Sequence, residues 1–226
     1  ASAMIRRHSG LGPKGVGGLY AAATDGTGVV ASFDLTSAPW NLVLSDGRDL
    51  SDSARNISTA SGSNVAYSAD IPAYSAVGRM GIGEIEVDAV GGYLYLVNLY
   101  QKKVQRIPLA GTASAPTLGS TVTSYTIPQS VCPKSADGSI ARPFALRFDP
   151  LTGKLLVGGV CTNEQQTIQQ APDKQSENMA ENAWVMQLDP AGAGTFTTLG
   201  TFSLFYRHYA DACAGALPLA SLVERH

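Results

Sequence analysis

The sequence predicts an all-β fold assembled from propeller-type blades. Glycine and proline are abundant, at 24 and 12 of 226 residues, while charged residues make up only 15%. That balance suits strands joined by many tight turns and argues against long charged helices. Short apolar or alternating runs recur between those turns, and the runs group into units that repeat along the chain. The length suits one large β domain, taken here as residues 1–226, with blade-like units near 16–75, 76–130 and 140–200.

The first unit holds a strand over 18–24, the reversal Asp25-Gly-Thr-Gly28 and a second strand over 29–35, as the Asp-Gly signal predicts. Residues 36–67 are rich in Ser, Asp, Asn and Gly, and read as loops around one weak strand at 41–44. In the second unit, Gly83-Glu-Ile-Glu-Val-Asp88 alternates strictly between polar and apolar. It is followed by Ala89-Val-Gly-Gly92, a strand over 93–99, the turn Gln101-Lys-Lys103 and a strand over 104–109. The same order returns at 143–149, Pro150-Leu-Thr-Gly153, 154–160 and 183–189. A polar excursion over 165–181 interrupts this third unit, with a short helix expected near 174–181. Aromatic residues over 196–209 read as the opening of a further unit.

Aligning Leu19-Tyr20, Leu94-Tyr95 and Leu155-Leu156 separates the units by 75 and 61 residues. Common propeller blades take roughly 40–50 residues, and loops account for the excess. Within a unit the strands follow the order of inner, middle and outer strands in a four-stranded antiparallel blade. A β-sandwich is the alternative; it needs strands every 8–12 residues or so but predicts no unit-length repeat. Three units and the start of a fourth predict an incomplete ring, with edges and apolar faces for another chain or further blades to cover.

The net charge of −2 and pI near 5.9 give no basic footprint for nucleic acid; Arg6, Arg7 and His8 make only a short basic spot. No run approaches the ~18 consecutive apolar residues of a membrane-spanning helix. Residues 1–4 read as a mature N-terminus or a cloning remnant, with any export signal already removed. Cys132, Cys161 and Cys213 lie 29 and 52 residues apart, without the paired spacing of a zinc site. One disulfide and one spare thiol is the simplest arrangement in an oxidising compartment, with Cys132 and Cys161 preferred because each flanks a predicted strand; three buried thiols are the alternative.

Glu84, Glu86 and Asp88 stand two residues apart and so share one face of a strand. Three carboxylates can coordinate calcium or serve as an acid/base pair, but no calcium-binding loop accompanies them, which favours a solvated or channel-facing strand face. Asp34, Asp149 and Asp189 each end an apolar run before a turn, where the side chain can cap backbone amides two residues on. Tyr93, Tyr95, Tyr100 and Arg106 form a candidate aromatic and cationic patch for sugar or peptide, beside the plainer fact that tyrosine favours strands. Asn56-Ile-Ser58 matches the glycosylation acceptor pattern, which has meaning in a eukaryotic secretory pathway. No nucleophile elbow, nucleotide-binding glycine loop or His-Glu-x-x-His helix occurs.

The segments Val77-Gly-Arg-Met-Gly-Ile-Gly-Glu-Ile-Glu-Val87, Leu94-Tyr-Leu-Val-Asn-Leu99, Cys132-Pro133, Arg142-Pro-Phe-Ala-Leu146 and Val157-Gly-Gly-Val-Cys-Thr162 together resemble propeller modules of large bacterial surface and secreted proteins, a type often followed by B-type repeat domains of the collagen-adhesin kind. His8-Ser-Gly-Leu-Gly-Pro13 looks like the start of the same module. The resemblance implies a β-propeller, extracellular or cell-surface placement and disulfide-capable cysteines at Cys132 and Cys161, and it implies no reaction. The expected role is a non-enzymatic binding or structural module with a protein or carbohydrate partner and no cofactor, calcium being the one candidate ion. A lyase or lactonase using Glu84, Glu86 and Asp88 with a divalent metal is the second reading, and a self-assembling fibre subunit the third.

Overall fold

A computed structural model describes residues 14–49, 76–132, 139–162 and 182–204. These form eleven strands and two single turns of 3-10 helix (Gly15–Gly17 and Gln129–Val131), so the all-β expectation holds. The strands are β1 (Gly18–Ala22), β2 (Val29–Asp34), β3 (Ile82–Asp88), β4 (Tyr93–Asn98), β5 (Lys103–Thr112), β6 (Ala115–Leu118), β7 (Thr123–Thr126), β8 (Ile140–Asp149), β9 (Lys154–Thr162), β10 (Asn182–Leu188) and β11 (Phe196–Ser203). All pairings are antiparallel: a β1-β2 hairpin, a sheet ordered β3-β4-β5 and a sheet ordered β8-β9-β10-β11; none of the three closes on itself.

β5 is long enough to take two partners along its far edge. Its first half pairs with β7, from Lys103 opposite Thr126 to Arg106 opposite Thr123, and its second half folds back on β6. The second sheet is therefore a four-stranded meander β3-β4-β5-β7 with a small hairpin inserted, the counterpart of β8-β9-β10-β11.

Why these segments became strands is plain from their side chains. β4, Tyr-Leu-Tyr-Leu-Val-Asn, is buried on both faces. Tyr95, Val97 and Leu99, with Val104 of β5, Tyr125 of β7 and Ile127 just after it, pack against Leu146, Leu155, Val157, Trp184, Met186 and Leu188 of the third sheet. Leu96 and Ile107 point the other way, into Leu35, Leu42 and Leu44 of the first unit. Each fully buried aliphatic chain contributes about 1.5–3 kcal/mol, so these two layers supply most of the drive to fold.

Two expectations are corrected. Residues 41–44 form no strand: Asn41 has φ 48°, in the left-handed region, which breaks extended pairing. Leu42 and Leu44 are nonetheless buried, held by bonds from the Leu42 amide to the Leu35 carbonyl and from the Gly81 amide to the Leu44 carbonyl. Nor does the segment from Phe196 open another unit. Its described part, β11, pairs with β10 from Leu188–Phe196 to Asn182–Ser203 and completes the third sheet. The helix expected at 174–181 and the acceptor at Asn56 lie outside the described residues.

Candidate functional site

The Asp-capped turns organise the ends of the sheets. Asp34 accepts hydrogen bonds from the Thr36 amide (3.0 Å) and from the hydroxyls of Thr36 and Ser37 (2.6 and 2.7 Å). Asp149 accepts from the Leu151 amide (2.9 Å) and the Thr152 hydroxyl (2.7 Å), and Asp189 from the Gly192 amide (2.8 Å). The hydroxyl bonds hold the carboxyls of Asp34 and Asp149 below the usual carboxylate range. The sequence had assigned those three to turn-capping, and the structure adds Asp88, whose Oδ1 takes the Val90 and Gly91 amides at 3.1 and 2.7 Å.

That role for Asp88 changes the meaning of the carboxylate row. The Glu84 side chain accepts from the Leu146 amide at 2.8 Å, so it bridges β3 to β8. Glu86 pairs with Arg147 at 3.2 Å, again across β3 and β8. The three carboxylates thus have three separate tasks, and among the described residues no three His, Cys, Asp or Glu side chains come together to hold a metal ion.

Of the aromatic and cationic patch, the structure brings together Tyr93, Tyr95 and Arg106, while Tyr100 lies apart in the β4–β5 turn. The Arg106 guanidinium sits 4.6 Å from the Tyr93 ring centre and 6.0 Å from that of Tyr125, and donates to the Pro190 carbonyl at 2.7 Å. The Tyr125 hydroxyl donates to the same carbonyl at 3.0 Å. Tyr95 is 2% exposed and stacks on Phe148 with ring centres 6.0 Å apart. Burial pushes the Tyr95 and Tyr125 hydroxyls above the ordinary tyrosine pKa, opposed by Arg106. The patch is therefore an inter-sheet clamp: residues of β4, β5 and β7 grip the turn that follows β10.

Among the described residues, a cleft of about 550 Å³ between the turn after β3 and the turn after β8 is open to a ligand. Glu86, Val87, Asp88, Val90, Arg147 and Phe148 line it, with the backbone of Gly91 and Gly153. Its volume lies within the ~300–1,000 Å³ of small-molecule sites. Val90 is 97% exposed at its rim, and the Arg147 side chain is 77% exposed. Arg147 and Phe148 were not candidates in the sequence. Their signal was present in the alternation Ala145-Leu-Arg-Phe-Asp149, whose polar members matched those of β3, but nothing local shows that the two strands adjoin.

Cys132 and Cys161 form a disulfide with Cα atoms 5.6 Å apart, joining the segment after β7 to β9. Among the described residues, no helix is long and apolar enough to cross a membrane. Compared with models of known families, with curated proteins and with solved structures, the chain matches none.

Proposed function

We propose that this chain is a non-enzymatic binding or structural module of an extracellular or cell-surface assembly, built from propeller blades like those of the bacterial surface proteins it resembles. The observation that carries the proposal is the relation of β3 to β8. Each is the first strand of a four-stranded meander, and the two lie side by side in the same direction, since Glu84 meets Leu146 and Glu86 meets Arg147. No backbone ladder joins them; side chains do. Parallel first strands side by side, with the two sheets packed face to face behind them, support a reading as consecutive blades.

Two further features support the functional half. The carboxylates that an enzyme of this class would use are each committed to a strand or a turn, and the disulfide suits an oxidising compartment. The cleft between the Asp88 and Asp149 turns, with apolar walls, the Glu86–Arg147 ion pair and the Asp88 carboxylate, is the ligand-facing part. Its chemistry fits a sugar or a peptide segment that sets an apolar or ring face on Val87, Val90 and Phe148 and hydrogen-bonds to the charged pair.

The test is retention of wild-type protein on arrays of glycans and peptides beside a Val90→Asp/Arg147→Ala variant. The expected result is a wild-type signal for one ligand class that the double variant loses at least tenfold while keeping the same melting curve. A folded wild type that retains nothing would overturn the binding role. Turnover of a lactone or uronate polymer that disappears in Glu84→Gln/Glu86→Gln would overturn the non-enzymatic one.

A further inference from the structure

Three of the Asp-capped turns repeat one arrangement and differ at one oxygen. In each, Oδ1 of the aspartate accepts from the amide two residues on: Asp34 from Thr36, Asp88 from Val90 and Asp149 from Leu151, at 3.0, 3.1 and 2.9 Å. In two of them a hydroxyl three residues on fills Oδ2: Ser37 donates to Asp34 and Thr152 to Asp149, both at 2.7 Å. The third residue after Asp88 is Gly91, which has no hydroxyl to give. Its amide donates to Oδ1 at 2.7 Å instead, and among the described residues Oδ2 of Asp88 has no hydrogen-bond partner.

Asp88 and Gly91 both line the cleft, and Oδ2 lies so close over Gly91 that a Cβ there would overlap it. Asp88 is only 9% exposed, so its carboxylate is mostly out of water and keeps one open acceptor. An ionised carboxylate only accepts, and whatever fills Oδ2 must donate. Beside it, the exposed Arg147 guanidinium has more donors than the one that Glu86 takes, and Val87 and Phe148 supply apolar surface. An acceptor, a donor and an apolar wall in one cleft match a sugar ring, with adjacent hydroxyls on its rim and C–H groups on its faces. The carboxylates of Glu86 and Asp88 outnumber the one guanidinium, which disfavours an acidic sugar.

We propose that the cleft takes a neutral saccharide, one hydroxyl of which donates to Oδ2 of Asp88 in the place that the Ser37 and Thr152 hydroxyls hold in the sister turns. Gly91 is the residue that leaves this place open. The assignment rests on the cleft being the ligand-facing part of the molecule. Asp189 provides a control: it too has glycine three residues on, Gly192, and neither residue lines the cleft.

The test passes the full chain over immobilised neutral oligosaccharides and over peptides lacking Ser, Thr and Tyr. Wild type and Gly192→Thr are expected to be retained on an oligosaccharide, and Gly91→Thr, which restores the sister-turn hydroxyl, is expected to bind at least tenfold more weakly with an unchanged melting curve. A second measurement needs no variant: among singly deoxygenated forms of the retained sugar, one is expected to bind the wild type at least tenfold more weakly. Equal retention of Gly91→Thr and wild type, or of every deoxygenated form and the parent sugar, would overturn the proposal. Retention on hydroxyl-free peptides alone would overturn it too while leaving the cleft a binding site, whereas retention on no probe at all would overturn the binding reading and this proposal with it.

Discussion

Trp184 fills the centre of the core between the second and third sheets at 1% exposure, yet its indole N–H has no hydrogen-bond partner among the described residues. Its ring and its polar atom therefore act in opposite senses. Trp184→Ala is expected to cost about 3–5 kcal/mol through the cavity it leaves, whereas Trp184→Phe, which removes the unpaired donor and keeps a ring, is expected to cost well under half of that; urea melts of the two variants measure the difference. Gly159 lies beneath the same ring, where a Cβ would overlap both Trp184 and the Arg142 carbonyl. The turn carboxylates make an acid-side prediction. Asp25, Asp34, Asp46 and Asp149 all have pKa values lowered from 3.8 in the folded chain. A lowered folded pKa contributes stability above the unfolded value and loses it as pH falls through the folded one. Melting temperature is thus expected to hold above about pH 5 and to fall below about pH 4. Asp34→Ala is expected to lower it by about 2–4 °C at neutral pH, as one lost cap does in a chain of this size, and to flatten the acid limb. That Asp34, Asp149 and Asp189 cap turns was visible in their placement after apolar runs. That Asp88 does so was hidden by its place in a run of three alternating carboxylates, which reads equally well as a metal face.

The strands themselves were legible because a half-buried strand writes a two-residue period into its own sequence. β3, β4, β8, β9 and β10 fall within a few residues of the runs that foretold them, while β6 and β7 went unseen. Thr123-Ser-Tyr-Thr126 carries only one apolar side chain, Tyr125, and becomes a strand because β5 offers an open edge beside it. β11, burial pattern intermediate or exposed throughout, is likewise a strand by virtue of its neighbour. The element most dependent on a covalent tie is the passage from β7 into the third sheet. The Cys132–Cys161 disulfide closes a 29-residue separation, which restrains the unfolded chain by about 3–4 kcal/mol in the loop-entropy account. Cys132→Ser/Cys161→Ser is expected to lose that amount in denaturant melts, and reducing agent is expected to bring the wild type to the same curve. A wild type insensitive to reduction would show that packing around the 3-10 turn, rather than the bond, holds the segment.

In the whole molecule, the joint between the second and third sheets decides whether they act as one body. Arg106 and Tyr125 converge on the Pro190 carbonyl, Tyr95 stacks on Phe148, and Glu84 and Glu86 bridge to β8. The exposed Glu86–Arg147 pair contributes little, about 0–1 kcal/mol. Arg106 is the stronger tie: Arg106→Met is expected to cost about 1.5–3 kcal/mol and to split the cooperative melt, with β10 and β11 exchanging amide hydrogens before β4 and β5. A single unchanged transition would place the strength of the joint in its apolar layer instead. Raised tyrosine pKa values predict the alkaline limit in the same place. Neutral Tyr95 and Tyr125 stabilise the fold below the usual pKa near 10 and withdraw that contribution as pH rises through their higher folded values.

Local pattern was enough to show that the chain is all-β, where most of its strands run and that Asp34, Asp149 and Asp189 cap the turns after three of them, because period and turn chemistry act over a few residues; cysteine placement favoured the Cys132–Cys161 pair, which the structure contains. Which face of β3 meets β8, and hence the separate tasks of Glu84, Glu86 and Asp88, was beyond it. So were the burial of Tyr95, the gathering of Tyr93 and Arg106 around Pro190 without Tyr100, and the cleft between two turns some sixty residues apart. These depend on how two sheets settle against each other, a choice made by the summed packing of side chains distant in the chain, and no single segment carries it.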